Sequence, residues 1–194
     1  MEPDPAARRV RAVDSLMQEL TIDLASADDI PETVVVGNFD DFYRSRRDRV
    51  ARALALTLGD AHLGAEAADE AMTRAYQRWT RVGGYDDPGA WVYRVGLNWA
   101  TSVLRRRNRA PKPLFESGPA DIGPVSEPSV LHALADLPVN QRAVVICRFY
   151  LGLNEAETAA ALRVRPGTVK SRLHRALAHL RTRLNHLSPE ALND

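Results

Sequence analysis

The sequence predicts an all-α protein: two small helical domains, an N-terminal helical bundle and a C-terminal helix-turn-helix domain, joined by a proline-rich linker. Three observations predict it. Apolar residues recur at helical spacing through most of 39–110 and 129–187. Alternation of strand type is confined to 33–36, too short for a sheet. Between the helical blocks, residues 111–128 hold five prolines and two glycines in 18 positions, so helix is blocked there and few apolar groups can be buried. The chain has 194 residues, enough for one ordinary domain or two small ones. Its 45% hydrophobic and 26% charged residues are a soluble globular composition.

No run approaches the roughly 20 apolar residues of a membrane span, and the first residues contain no apolar signal region. No membrane insertion is therefore expected, and the protein reads as cytoplasmic. The single cysteine, Cys147, excludes an internal disulfide framework and a multi-cysteine zinc site. It stands among Val144, Val145, Ile146 and Phe149, which marks a buried structural thiol. There is no P-loop and no nucleophile motif, and His174, His179 and His186 lack zinc spacing. Neither an enzymatic activity nor a cofactor is expected.

The formal net charge is only +1, but it is unevenly divided. Residues 1–38 carry net −5, 39–110 net +4, 111–137 net −3 and 138–194 net +5. Two basic blocks separated by acidic ones point to polyanion contact by the basic parts. Arginine outnumbers lysine 24 to 2, although an alanine- and arginine-rich composition also suits a GC-rich genome.

Within the acidic extension 1–38, Val10, Val13, Met17 and Leu20 fall at helical spacing, ended by Asp28, Asp29 and Pro31. The segment reads as a partly disordered tail or one amphipathic helix that docks on a partner or on the protein's own basic surface. Phe39-Asp40-Asp41-Phe42-Tyr43 opens a helix, and a second covers 65–80 with Glu66, Asp69 and Glu70 clustered on it. Residues 81–87 read as a loop whose glycines and Tyr85 suit an unstacked base. A long helix follows from Pro88 to about 109. Val92, Val95, Trp99 and Val103 form one apolar stripe on it, with Tyr93, Leu97, Ala100 and Leu104 as its neighbour. The remaining face carries Arg94, Asn98, Thr101 and Arg105, flanked by Trp91 and Ser102 and ending in Arg105-Arg106-Arg107-Asn108-Arg109. Arginine and amide groups on a rigid helix suit DNA contact.

After the linker and Leu137-Pro138, Val144, Val145, Phe149 and Leu151 mark a helix closed by Gly152. Asn154-Glu155-Ala156-Glu157 has the chemistry of a capping box and opens a helix to about Leu162. The turn Arg163-Val164-Arg165 leads to Pro166, suited to a first helical position, and a final helix runs to about Leu184. On it Val169, Leu173, Ala176, Leu177 and Leu180 share the core face. Thr168, Ser171, Arg172 and Arg175 share the opposite one, with His179 behind. Helix, three-residue turn, helix with such an outer face is helix-turn-helix geometry.

Together these segments resemble bacterial RNA polymerase sigma factors of the extracytoplasmic-function type. The residues that carry the likeness are Ala65-Glu66-Ala67-Ala68-Asp69-Glu70-Ala71-Met72, Ala90-Trp91-Val92-Tyr93-Arg94-Val95-Gly96-Leu97-Asn98, the arginine run 105–109, Leu137-Pro138, and Gly167-Thr168-Val169-Lys170-Ser171-Arg172-Leu173. The likeness covers about 39–185, with the linker in its proper place. It implies a region 2-like domain over 39–110, a linker over 111–128, a region 4-like domain over 129–187 and a tail over 188–194.

It further implies core RNA polymerase (clamp helices and flap) and promoter DNA as partners. Glu66, Asp69 and Glu70 would dock on the clamp helices. Tyr85, Arg94, Asn98, Ser102, Arg105 and Arg106 would read and melt the −10 element. Arg165, Thr168, Lys170, Ser171, Arg172 and Arg175 would read the −35 element. Asp69 stands where the family often has glutamine, Arg163 where the turn usually has glycine, and Thr158 at a usually aliphatic position. Arg165 replaces a serine N-cap worth about 1 kcal/mol.

The linker extends to at most roughly 60 Å, and each domain has a radius on the order of 13 Å, so one molecule can span about 25 base pairs. Two weak DNA sites so joined gain by effective concentration once the tether is held open. Core polymerase is expected to hold it open, and the free chain to bind promoter DNA poorly. A one-component helix-turn-helix repressor or activator is the alternative, and it would need a dimerisation surface and a ligand pocket. An inhibitory anti-sigma factor is a further partner to expect from the resemblance.

Overall fold

The structure, a computed structural model, describes residues 38–109 and 128–184. Readings made for 1–37, most of the linker and the tail lie outside the described residues. Every regular element among those described is helical, as the fold class requires, and they fall in two compact units.

In the first unit, α1 (Phe39–Leu58) begins where the Asn38 side chain accepts a hydrogen bond from the Asp40 amide at 2.6 Å. It stops at Gly59, whose φ of +73° is the left-handed region open to glycine, with the Gly59 amide bonded to Ala55 O. Asp60 then caps α2 (Ala61–Tyr76), accepting from the Leu63 amide at 2.9 Å. A Cβ on Gly64 would lie only 2.5–2.8 Å from the N, Cα and Cβ of Ala55, so the α1–α2 hairpin closes backbone to backbone.

The helix expected over 65–80 thus starts earlier and ends earlier. The Gly59-Asp60 turn supplies its start. Its end comes where Trp79 turns aside into a separate helical turn, α3 (Trp79–Val82), with its ring 4.9 Å from Phe42 and 5.3 Å from Phe39. Packing against α1 outweighs continued helix propensity there. Arg81 and Val82, expected in a loop, belong to this turn, and Val82 is buried.

The long helix α4 (Pro88–Arg109) crosses the hairpin at Gly96, where a Cβ would sit 2.9 Å from Ala67 O and 2.7 Å from Leu54 Cδ1. Its deepest line is Val92, Tyr93, Gly96 and Ala100; Val95, Trp99 and Val103, expected as core, are half-buried. Gly96 is the reason, since helix approach is closest where the side chain is missing. The Tyr93 hydroxyl lies 2.7 Å from Thr57 Oγ1, which also donates to Ala53 O, so this buried polar pair is satisfied.

After the linker come α5 (Pro128–Ala135), α6 (Val139–Val145) with a wide π turn Ile146–Tyr150, α7 (Glu155–Leu162) and α8 (Pro166–Leu184), of which the second unit takes in residues 128–159 and 164–184. Pro128, the last position of the expected linker, is the first residue of α5, where proline loses no helical bond. The core joins Val130, Ala133, Leu134, Leu137 and Val145 to Ala176, Leu180 and Leu184. Cys147 is fully buried, as expected. Arg142 is buried as well, donating through Nη2 to Ala135 O and Leu137 O at 2.8 and 2.9 Å. Burial pushes its pKa down, with Asp136 acting in the opposite direction.

Candidate nucleic-acid interface

The geometry of the α7–α8 turn sets the direction of α8. The capping box forms in both directions: Glu157 Oε2 accepts from the Asn154 amide at 2.7 Å, and Asn154 Oδ1 from the Glu157 amide at 3.0 Å. At the other end of α7, the Val164 amide donates to Ala159 O and the Arg163 amide to Ala160 O. These are the two bonds of a Schellman closure. That closure needs a left-handed residue, and Arg163 supplies it at φ +52°, the one non-glycine residue of positive φ among those described. Arg165 caps α8 with its backbone only, its carbonyl accepting from the Thr168 amide at 2.8 Å.

Arg165 just before α8 and Lys170, His174 and Arg175 on it are exposed, while Thr168, Ser171 and Arg172 are half-buried beside them. Ser171 Oγ donates to Thr168 O at 3.1 Å, which folds one hydroxyl onto the helix. None of Arg165, Lys170, Arg172 and Arg175 forms an ion pair among the described residues. Their charge is therefore available to an outside anion over about 15 Å of helix.

In the first unit, Asn98, Ser102, Arg105 and Arg106 are exposed on α4, and Arg94 is half-buried. The spacing of Arg94, Asn98, Ser102 and Arg105 sets them along one side for about 16 Å. Ser102 Oγ donates to Asn98 O at 2.9 Å, leaving the Asn98 amide group facing solvent. Asp87 Oδ1 accepts from the Ala90 amide at 3.0 Å, so this carboxylate is used in starting α4. Tyr85 is half-buried in the preceding turn.

The acidic trio on α2 differs from a free acidic patch. Asp69 accepts from Arg47 Nε and Nη2, each at 2.9 Å, and so ties α2 to α1. Glu70 pairs with Arg74 at 2.7 Å, and Glu66 lies 3.5 Å from His62. Only Glu66 and Asp69 are well exposed. The sequence reading missed Arg47, because its partner is 22 positions away. It also missed that two charges of the basic C-terminal block are already engaged: Arg142 is buried, and the exposed Arg183 pairs with Asp136.

Residues 128–180 match the family model described as sigma-70, region 4. The RNA polymerase sigma-E factor of Streptomyces avermitilis is 32% identical over 151 residues, covering 75% of this chain and 84% of that protein. The ECF RNA polymerase sigma factor SigM of Mycobacterium tuberculosis is 33% identical over 159 residues, covering 77% and 79%. Among solved structures, the sigma factor RpoE of Bartonella quintana, crystallised with the anti-sigma factor NepR, superposes with a TM-score of 0.64 at 19% identity. That match covers 76% of this chain and 96% of RpoE. CnrH, in complex with the cytosolic domain of CnrY, gives 0.55 at 19% identity, covering 87% and 96%. These two likenesses concern the fold.

Proposed function

The chain belongs to the extracytoplasmic-function sigma factors of RNA polymerase, and from that premise we propose that it binds core polymerase, recognises −10 and −35 promoter elements and directs initiation. The carrying observation is the pair of cationic helix faces on separate units, whose named arginines and lysine form no ion pair among the described residues. α8, with Arg165, Thr168, Lys170, Ser171, Arg172 and Arg175, enters the major groove at the −35 element. Lysine and arginine hold phosphates, and the shorter polar groups reach base edges. α4, with Arg94, Asn98, Ser102, Arg105 and Arg106, lies along the −10 element, and Tyr85 supplies a stacking surface for an unpaired base.

Glu66, Asp69 and Glu70 mark α2 as the helix that docks on core polymerase. Because Asp69 is held by Arg47, it serves this docking by fixing α2 against α1. Glu66 is the exposed carboxylate that meets the partner directly. The chain supplies no reaction of its own and works in the cytoplasm with the polymerase it programs. No described helix is long and apolar enough to cross a membrane. An anti-sigma factor that covers α2 or α8 would block it.

Reconstitution tests this function. Core polymerase mixed with the chain gives run-off transcripts that neither gives alone, and the isolated chain binds the same promoter weakly. A chain that binds the promoter tightly alone, and leaves core polymerase inactive, is a one-component regulator instead.

A further inference from the structure

The N-terminal unit carries an aromatic surface that its fold does not need. Among the described residues the exposed large hydrophobics are Tyr43, Tyr76 and Val139, and the first two are 40% and 65% exposed. Both line one open groove of about 320 Å³ between α1 and α2, with Phe39, Arg47, Met72 and Thr73. Phe39 stacks against Tyr76 at 5.1 Å and Tyr43 at 6.0 Å between ring centroids. The result is a continuous aromatic wall open to water. Leaving such area exposed costs about 25 cal/mol per Å², which a covering segment recovers.

From this surface we infer that the chain's own N-terminal segment, through Val10, Val13, Met17 and Leu20, occupies the groove and masks α2. Three observations select this occupant. First, Phe39 is both the first residue of α1 and part of the groove wall, so the preceding chain enters at the groove itself. Residues 21–38 extend to roughly 60 Å, ample for the return. Second, the four apolar residues form one stripe about 15 Å long when helical, and every residue between them is polar, charged or alanine apart from Leu16. Third, the charges match. Residues 1–38 carry net −5. Arg46, one turn along α1 from Tyr43, and Arg78, two residues beyond Tyr76, lack a carboxylate partner among the described residues.

Occupancy covers Thr73 and Tyr76 and reaches Asp69, all on α2. The segment therefore competes with whatever docks on α2. That consequence rests on the proposed docking of α2 on core polymerase; the groove's occupancy does not.

The full-length chain allows both to be measured. Cys147 is fully buried, so in a Ser15→Cys variant a nitroxide attaches at position 15, opposite the apolar stripe. The expected result is selective broadening of the amide signals of Tyr43, Thr73 and Tyr76. It is lost when Val13→Asp and Met17→Asp are added, and also in Tyr76→Ser, while the amide signals of α4 keep their positions and show the unit still folded. Broadening that is absent, or that survives these changes, overturns the docking. In the unlabelled chain, Val13→Asp with Met17→Asp tightens binding to core polymerase by about threefold, as for a segment docked about two-thirds of the time. Equal affinity overturns the masking. Failure of every variant to bind core polymerase counts against the sigma-factor function, while the broadening pattern still judges the docking.

Discussion

Replacing Gly64 by alanine is the sharpest test of how the N-terminal unit is built. In an isolated helix the change would be favourable by about 1 kcal/mol, since glycine is the poorer helix former. Here the new Cβ falls 2.5, 2.6 and 2.8 Å from Ala55 N, Cα and Cβ. Ordinary contact needs about 3.5–4.0 Å, so α1 and α2 must part by about 1 Å. The obstructing atoms are backbone and a Cβ, with no rotamer to escape into. Overpacking of this kind costs at the upper end of about 1–3 kcal/mol. Parting the helices also loosens contacts along the hairpin, so the net expectation is a loss of about 2 kcal/mol. For a domain of 60–100 residues that lowers the melting temperature by about 8–16 °C. All three tryptophans, Trp79, Trp91 and Trp99, lie in this unit, so tryptophan fluorescence reports its melting alone. Hydrogen exchange in α8 serves as an internal control and stays unchanged. A variant that melts at or above the parent temperature refutes the backbone-to-backbone packing.

Three further predictions concern the second unit. Arg163→Gly relieves a left-handed conformation costing about 1–2 kcal/mol, less about 0.5–1 kcal/mol of glycine entropy. Slower amide exchange in α7 and α8 is the expected sign, at a gain of about 0.5–1 kcal/mol. Arg142→Met removes the donor to Ala135 O and Leu137 O and costs about 2 kcal/mol, since desolvation of the buried charge offsets part of the hydrogen-bond loss. Urea denaturation followed by circular dichroism measures it, and an unchanged midpoint contradicts the role. Lys170→Ala and Arg175→Ala each lower the salt slope of holoenzyme binding to promoter DNA by about 1, because each removes one phosphate neutralisation. A titration of affinity against salt reads this directly, and an unchanged slope places the residue off the DNA.

What could be read from the sequence, and what could not, divides by range of interaction. α4 and α8 were legible because they are long, periodic and opened by proline. The capping box was legible because Asn154 and Glu157 act on each other's amides three residues apart. Arg163 stands in a position where the turn usually has glycine, and its φ of +52° gives the physical reason. The features that escaped all depend on a distant partner. Trp79 leaves the line of α2 to meet Phe39 and Phe42. Asp69 is taken by Arg47 from α1. Gly64 and Gly96 are places where helices cross, which no local pattern distinguishes from a weak helix position. In the candidate site, residue identity on a helix face was readable, but whether a charge is free depends on neighbours from elsewhere in the chain.

A sigma factor with two readers must lose sequence information at two separate places when each is damaged. Start-site mapping on a promoter library randomised upstream, with core polymerase and the parent chain, Lys170→Ala/Arg175→Ala or Arg94→Ala/Asn98→Ala, measures this directly. The parent gives starts that depend on two base clusters. The α8 variant relaxes only the distal cluster and the α4 variant only the proximal one. Starts that depend on a single cluster, or two variants that relax the same positions, would contradict a division of promoter reading between α8 and α4.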